Sequence, residues 1–256
     1  MVTILCETAT LHKDPRYEKH RFETIEAVLF DKDGTLANVE PYLMALGEAR
    51  ADEVARLVPG VRDDVLAAFG QQRGQIDPAG MMAVGARAEN EIAAAAYVAA
   101  TGAGWIESLN LVRVAFDSAA ESLPAKVGQT PILPGAIALL QRLRDSGLKI
   151  GIVSSDTHAE VTSFIECYSL SVDWHCGEGG ASLSKTQPGF LHLACRSLEV
   201  DPSKTLVVGD SASDERLSMQ GAAGFIAMVG GWSIPPRFSA QTAIVTHLSQ
   251  VQTSRE

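Results

Sequence analysis

VLFDKDGTL, residues 28–36, is a short apolar run that ends in two carboxylates on either side of a lysine. Val, Leu and Phe favour a buried β-strand, whereas two acids beside a core are costly unless a positive group pairs with them. Side chains two residues apart leave a strand on the same face, so Asp31 and Asp33 can face one cation and one substrate. The stretch therefore predicts a strand that opens into an active site.

Three further segments carry polar residues that could act together with Asp31 and Asp33. Residues 150–155, IGIVSS, form an apolar run that ends in hydroxyl residues. Lys185 lies in SKTQP, residues 184–188, and residues 206–214, LVVGDSASD, join an apolar run to a turn with two acids. One such segment is a weak signal, but four in this order are improbable by chance.

The four segments resemble, in order, the motifs of the haloacid dehalogenase-like phosphohydrolases, and the resemblance covers residues 26–231. It implies a Rossmann-like α/β core and a Mg²⁺-dependent phosphatase that forms an aspartyl-phosphate. Residues 185–188 read Lys-Thr-Gln-Pro rather than the commoner Lys-Pro-x-Pro of relatives, yet no other lysine lies between Ser154 and Lys204. Lys185 is therefore the residue that matches the third motif.

The resemblance assigns catalytic and metal-binding roles to the acids. Asp31 is the predicted nucleophile, and Asp33 is the predicted general acid and base. Asp31, Asp210 and the main-chain carbonyl of Asp33 are predicted to bind Mg²⁺, and Asp214 is predicted to complete or orient this set. The alternatives are turn or cap acids for each residue alone and, for Asp214, a helix N-terminal acid.

The same resemblance predicts the groups that bind the phosphate. The hydroxyl of Ser154 and the neighbouring amides, including Ser155, are predicted to donate to phosphate oxygens. Lys185 is predicted to add a point charge that also keeps Asp31 ionised. A strand-end cap is the alternative for Ser154, and a solvated surface lysine is the alternative for Lys185.

Alternating strands and helices predict a parallel sheet covered on both faces, with catalytic groups at the carboxyl ends of its strands. Predicted helices cover residues 136–144, 158–169 and 187–198. Predicted strands lie near residues 26–31, 149–154, 172–175, 204–208, 224–229 and 242–246.

A long helical insert interrupts this alternation. The insert, residues 42–128, is rich in Ala, Glu, Arg and Leu and has almost no strand signal, and its place between the first two motifs matches the helical cap of the family. We expect the core to comprise residues 25–41 and 129–256. Residues 1–24 are interpreted as an N-terminal extension that mixes a charged stretch with a possible strand at residues 2–5, which could pair on a sheet edge.

One segment of the predicted cap is a candidate substrate contact. Residues 77–91 form a glycine-containing loop that leads into an alanine-rich helix. Arg87, with Asn90 nearby, is predicted to bind a carboxylate or hydroxyl on the non-phosphate half of the substrate. The favoured alternative is an ion pair between Arg87 and Glu91, one helical turn apart, that stabilises only the helix.

Composition excludes several classes of partner. The chain has 256 residues and a formal net charge of −10, which argues against nucleic acid or an anionic membrane as a partner. No apolar tract is long enough to span a bilayer. With no secretory leader and no C-x-x-C pair, we expect a cytoplasmic protein with reduced thiols at its four cysteines.

The motifs leave more than one reaction open. The overall pattern is similar to phosphoglycolate phosphatases, so 2-phosphoglycolate is the leading predicted substrate. A sugar-phosphate mutase of the beta-phosphoglucomutase type shares all four motifs and is the enzymatic alternative. A non-catalytic protein that binds a phosphorylated ligand is a further alternative, but such a protein would be expected to lack at least one motif residue, and all are present.

Overall fold

The structure of the protein, a computed structural model, describes residues 2–7, 19–239 and 242–255. Most of the charged stretch of the N-terminal extension lies outside these residues. Among the described helices, none combines the length and the apolar character needed to cross a bilayer.

The chain divides into two compact units, which are described separately. One comprises Met1–Asn38 and Pro131–Glu256, and the other comprises Val39–Thr130. We refer to them as the sheet unit and the helical unit. The assignment of residues 42–128 to a cap stays a prediction.

The elements are numbered in chain order over the described residues. The strands are β1 (Val2–Glu7), β2 (Lys19–Ile25), β3 (Ala27–Asp31), β4 (Gln71–Gln72), β5 (Gln75–Ile76), β6 (Lys149–Thr157), β7 (Trp174–Glu178), β8 (Thr205–Gly209), β9 (Gly224–Met228), β10 (Ala243–Val245) and β11 (Val251–Arg255). The helices are α1 (Glu40–Leu57), α2 (Arg62–Ala68), α3 (Met81–Val84), α4 (Arg87–Ala100), α5 (Trp105–Ser122), α6 (Ala136–Asp145), α7 (His158–Cys167), α8 (Phe190–Leu198) and α9 (Ala212–Ser218).

A six-stranded parallel sheet forms the centre of the sheet unit, and the predicted α/β fold is confirmed. Its strand order is β10-β9-β8-β3-β6-β7, so the strand that carries Asp31 lies between β8 and β6. Every residue of β3 is buried, as its unbroken apolar sequence predicts. The three strands that end in predicted site residues are therefore direct neighbours.

Helices cover both faces of this sheet because alternate residues of each strand point to opposite sides. Phe30 and its neighbours on one face pack with apolar residues of α6 and α7, including Leu139 and Phe164. Leu29 on the other face packs with residues of α8 and α9, including Leu217. These two cores fix the sheet whose carboxyl edge carries the site.

A second sheet, which the sequence patterns did not predict, lies beside the first core. It is antiparallel and has the order β11-β1-β2. The predicted strand at residues 2–5 is present, but it is the central strand of this sheet rather than a strand on the edge of the parallel sheet. Ile4 and Cys6 of β1 are buried in the same core as Phe30, and this burial explains the position of the strand.

The helical unit contains α1 to α5 and one small hairpin. The hairpin pairs β4 with β5, which the predominantly helical pattern did not predict. Its turn residues Arg73 and Gly74 both have positive φ, of 54° and 73°, as a two-residue hairpin turn requires.

Candidate active site

The carboxyl ends of β3, β6 and β8 bring together the three residues predicted to end these strands. Asp31 is the last residue of β3, Ser154 lies in β6, and Asp210 follows β8 directly. Asp31 is paired in register with Val153, the residue before Ser154, so the first two motifs are adjacent. All three side chains belong to buried residues.

The turn after Asp33 depends on a glycine. Gly34 has φ +80°, a left-handed conformation that side chains disfavour. A Cβ atom at this position would lie 2.3 Å from Oδ2 of Asp210 and 2.4 Å from Nε1 of Trp232. Glycine is therefore needed here both for the turn and for the close approach of Asp210.

We expect Gly34→Ala to destabilise the protein by about 2–5 kcal/mol, because the left-handed strain adds to the steric overlap. It should also displace Asp210 and abolish most of the catalytic activity. Gly147→Ala is the matched control, since Gly147 has the same φ of +80° but no atom within 4 Å of the added Cβ. Urea unfolding of both variants measures the difference, and equal stabilities would contradict the proposed overlap.

Lys185 lies in the loop between β7 and α8, and its buried ammonium joins two of the acids. Its Nζ atom contacts Oδ1 of Asp31 and lies 2.6 Å from Oδ1 of Asp214. The side chain is 5% exposed, so the alternative of a solvated surface lysine does not describe it. The Lys-Thr-Gln-Pro sequence thus still places the lysine beside Asp31.

Asp210 is held by two uncharged donors. The hydroxyl of Thr35 donates to Oδ1 over 3.1 Å, and Nε1–H of Trp232 donates to Oδ2 over 2.6 Å. Trp232 was not among the residues predicted from the sequence. It lies in GGW after β9 and outside the four motifs, so no spacing rule connects it to Asp210.

Asp214 has the position of the alternative interpretation, a helix N-terminal acid, and its metal-binding role stays a prediction. Its Oδ2 accepts hydrogen bonds from the backbone N–H and the hydroxyl of Ser211, at 3.1 and 2.6 Å, and so caps the first turn of α9. Its Oδ1 faces Lys185. The same carboxylate is therefore a helix N-terminal acid and a member of the buried charged cluster.

The cluster shifts the ionisation of its members. Burial is the largest influence on Asp31 and raises its pKa from 3.8 to about 7, although the Lys185 ammonium opposes this shift. Burial, followed by the charge of Asp31, raises the pKa of Asp210 well above its usual range. Burial alone would lower the pKa of Lys185, but the carboxylates of Asp214 and Asp31 outweigh it and raise this pKa.

The chemistry of these side chains fits a divalent cation. One carboxylate oxygen from each of Asp31, Asp210 and Asp214 lies within 4.8 Å of the others. In the described part of the chain, Lys185 pairs with two of these acids, whereas Asp210 has hydrogen-bond donors but no ion pair. Three ionised carboxylates would exceed one ammonium by two charges, and hard oxygen ligands are those that Mg²⁺ prefers.

Asp33 lies outside this carboxylate cluster and pairs with a different lysine. Nζ of Lys32, whose residue is 1% exposed, contacts Oδ1 of Asp33 and lies 2.9 Å from Oδ2 of Asp156. The ring of Phe164 lies 5.2 Å from the same ammonium. Lys32 was not predicted to contact Asp33, because a lysine between two acids at a strand end has no distinctive spacing.

The two serines of the second motif have different environments. Ser154 is buried, and its Oγ accepts a hydrogen bond from the N–H of Asp156 over 3.1 Å. A hydroxyl that accepts through its oxygen still carries a proton that it can donate. Ser155 is exposed. The predicted phosphate-binding roles of both residues stay predictions.

Arg87 and Asn90, the predicted substrate contacts of the helical unit, have partners within that unit. Nε of Arg87 donates to Glu91 over 2.8 Å, and Nη2 donates to Asp117 on α5 over 2.6 Å. The buried Asn90 side chain donates to the carbonyl of Ala86 over 2.9 Å at the start of α4. The ion pair of the favoured alternative is thus present, and the ligand role stays a prediction.

Two known phosphatases are similar to this chain in sequence. The chain is 27% identical over 215 residues to phosphoglycolate phosphatase from Rhodospirillum rubrum, with 82% of each chain covered. It is 28% identical over 201 residues to N-acetylmuramic acid 6-phosphate phosphatase from Pseudomonas putida, with 74% of this chain and 76% of that one covered.

A solved structure shares the fold. A predicted haloacid dehalogenase-like hydrolase from Bacteroides fragilis aligns with a TM-score of 0.62 at 21% identity, over 88% of this chain and 99% of that one. The sequence model of the haloacid dehalogenase-like hydrolases matches residues 25–216. Since this match spans most of the chain and includes the strand ends with Asp31, Ser154 and Asp210, the chain belongs to the haloacid dehalogenase-like hydrolases.

Proposed function

We propose that this protein is a Mg²⁺-dependent phosphatase that hydrolyses a small phosphate monoester through an aspartyl-phosphate on Asp31. The observation that carries this proposal is the buried cluster at one edge of the sheet. There, Asp31 ends β3, one of the two middle strands of the sheet, contacts the Lys185 ammonium and lies beside two further carboxylates. A rigid strand end positions a nucleophile well, and phosphoryl transfer depends chiefly on positioning and charge neutralisation.

Asp31 is the proposed nucleophile. Its carboxylate attacks phosphorus, forms an acyl phosphate and releases the alcohol, after which water attacks the same phosphorus and regenerates the carboxylate. Attack requires the ionised form, whereas burial favours the neutral one. The Lys185 ammonium, which contacts Oδ1 of Asp31, supports the ionised form.

Asp33 is the proposed general acid and base. It protonates the leaving oxygen in the first step and takes a proton from water in the second. Its position two residues after Asp31, the last residue of β3, supports this role, because it keeps Asp33 at the strand end that carries the nucleophile. Its contact with Lys32 supplies a positive neighbour within a largely buried setting.

Asp31, Asp210 and Asp214, with the main-chain carbonyl of Asp33, are the proposed ligands of Mg²⁺. When bound, the cation neutralises charge on the phosphate oxygens and orients the phosphate. Ser154, Ser155 and Lys185 are the proposed donors to these oxygens. The excess of buried negative charge over the one ammonium supports this assignment.

2-Phosphoglycolate is the proposed substrate. Its support is the similarity to the phosphatase from Rhodospirillum rubrum, although the relative from Pseudomonas putida is named for a phosphorylated sugar acid. Both named compounds carry a carboxylate in addition to the phosphate.

We retain the proposal that residues 42–128 form the helical cap of the family, which the mainly helical content of the helical unit supports.

We expect Arg87→Ala to leave the Michaelis constant for phosphorylated acids unchanged and to lower stability by about 1 kcal/mol or less. The Arg87 guanidinium is itself half-exposed, its partner Asp117 is exposed, and its buried partner Glu91 keeps a second ion pair with Arg113. Arg56→Ala, which removes a comparable exposed ion pair on α1, is the control. Steady-state kinetics on phosphoglycolate would decide whether Arg87 binds the substrate or only stabilises the helix. A rise in the Michaelis constant of tenfold or more, absent in the control, would establish the ligand role instead.

A substrate panel tests the proposed function. Purified protein with Mg²⁺ would be mixed with phosphoglycolate, N-acetylmuramic acid 6-phosphate, phosphoserine and hexose phosphates, and released phosphate would be measured. We expect release from at least one phosphorylated acid. Conversion of a hexose 1-phosphate to the 6-phosphate without release would favour the mutase alternative, and no reaction with any compound would favour a non-catalytic binding protein.

We also propose a cytoplasmic enzyme without nucleic acid or membrane partners. The formal net charge of −10 supports the absence of polyanionic partners. All four cysteines lie in the described residues as free thiols, and three of them are buried, which supports a reducing compartment.

A further inference from the structure

Trp232 lies outside the four motifs but forms a hydrogen bond with Asp210 at the site. Trp232 follows β9 by four residues and is 7% exposed. Its indole Nε1–H donates to Oδ2 of Asp210 over 2.6 Å. This donor therefore reaches one of the proposed metal ligands directly.

Two glycines provide the space for this contact. A Cβ atom on Gly34 would lie 2.4 Å from Nε1 of Trp232, and a Cβ atom on Gly231 would lie 1.9 Å from the carbonyl oxygen of Gly34. Neither position therefore accommodates a side chain without displacing its neighbours. The indole, the Gly34 turn and Asp210 consequently form one closely packed group.

The type of donor matters for a metal ligand. An indole N–H is neutral and only donates, so it can fix a carboxylate without introducing a charge that repels a cation. The ammonium of Lys185 pairs with Asp31 and Asp214 instead. Oδ1 of Asp210 accepts a hydrogen bond from the rotatable Thr35 hydroxyl over 3.1 Å, which is longer than the 2.6 Å indole contact of Oδ2, so we expect Oδ1 to be the oxygen more available to a cation.

We propose that Trp232 is a positioning residue for the divalent cation, which holds Oδ2 of Asp210 so that Oδ1 faces the metal. This inference rests on the proposed function, because it requires a cation at the carboxylate cluster. It adds a residue that the four motifs do not include. Outer hydrogen-bond partners of this kind fix the orientation of ligands and tune their affinity for metal.

Metal binding by a phenylalanine variant tests the inference without relying on activity. We expect Trp232→Phe to weaken Mg²⁺ binding roughly 10- to 100-fold in isothermal titration calorimetry of the whole chain. Trp174→Phe is the matched control, since Trp174 lies in the same unit but packs near Phe190, with ring centroids 6.2 Å apart. The control should bind Mg²⁺ like the native chain.

The outcomes separate this inference from the proposed function. If Trp232→Phe binds Mg²⁺ within twofold of the control, the positioning role is overturned, even if the variant is less stable. If the native chain itself binds no Mg²⁺, the proposed metal site fails and the positioning role fails with it.

A spectroscopic measurement on the native chain covers the case in which the variant does not fold. The chain has three tryptophans, and ¹⁵N labelling gives each indole N–H its own resonance. We expect the Trp232 resonance to shift during a Mg²⁺ titration, with the same midpoint as calorimetry. Trp174 of the same unit, whose ring packs near that of Phe190, should not shift. A Trp232 resonance that stays fixed while Mg²⁺ binds would overturn the inference.

Discussion

Replacing Asp31 with asparagine is expected to lower the turnover number roughly 10⁴- to 10⁶-fold, as loss of a nucleophile does in other covalent mechanisms. The amide keeps the size and shape of the side chain but cannot form the acyl phosphate. Steady-state release of phosphate from the best substrate of the panel measures the effect. A variant that keeps more than a tenth of the native rate would contradict the nucleophilic role.

Loss of folding cannot easily explain such a result. Asp31 is buried, and burial raises its pKa to about 7, so the ionised carboxylate is unfavourable in the metal-free protein. Asp31→Asn should consequently be at least as stable as the native chain in the absence of Mg²⁺. Asp173→Asn provides a matched control, because Asp173 accepts a hydrogen bond from the Ile150 N–H over 2.9 Å near the start of β6 and should not affect catalysis.

Removal of divalent cations has the second large expected effect. Excess EDTA should abolish turnover, and added Mg²⁺ should restore it, because the buried carboxylates otherwise repel a phosphate dianion. Full activity after prolonged treatment with EDTA would contradict the proposed site. Native enzyme passed through the same buffer exchange without the chelator is the control.

Removal of Mg²⁺ should also change the thermal stability of the protein, by an amount that depends on pH. An Asp whose folded pKa is raised holds its proton more tightly when folded, so its stabilising contribution is present at low pH and is lost as pH rises through the folded value. For Asp31 this loss spans the interval from 3.8 to about 7, and the raised pKa of Asp210 acts in the same direction.

Thermal unfolding with and without Mg²⁺ measures this dependence. We expect Mg²⁺ to raise the melting temperature more at pH 8 than at pH 5.5, since the cation binds the ionised carboxylates. Asp210→Asn should reduce the increase at pH 8. An equal effect of Mg²⁺ at both pH values would contradict the proposed link between ionisation and binding.

Much of this arrangement could be predicted from the sequence, because short apolar runs that end in polar residues mark buried parallel strands. Asp31, Ser154 and Asp210 each follow or end such a run, and the carboxyl ends of parallel strands meet at one edge. The α/β fold was confirmed for this reason. The buried ion pair of Lys185 with Asp31 agrees with the predicted proximity of these two residues.

Other features depend on contacts between segments that no local pattern connects. Trp232 donates to a residue 22 positions earlier, and Lys32, which follows β3, reaches Asp156 of the neighbouring strand β6. The sheet of β11, β1 and β2 joins both ends of the chain. The periodicity of a single segment does not indicate such partners, because packing in the folded chain determines them.

Chemical trapping of the intermediate tests the central claim most directly. The enzyme would be mixed with Mg²⁺ and substrate, quenched during turnover, reduced with borohydride and digested for mass spectrometry. We expect homoserine at position 31, the product of reducing an aspartyl-phosphate, and none in enzyme without substrate. Turnover that leaves Asp31 unmodified, or that modifies Asp33 instead, would contradict the assignment of Asp31 as the residue that carries the phosphoryl group.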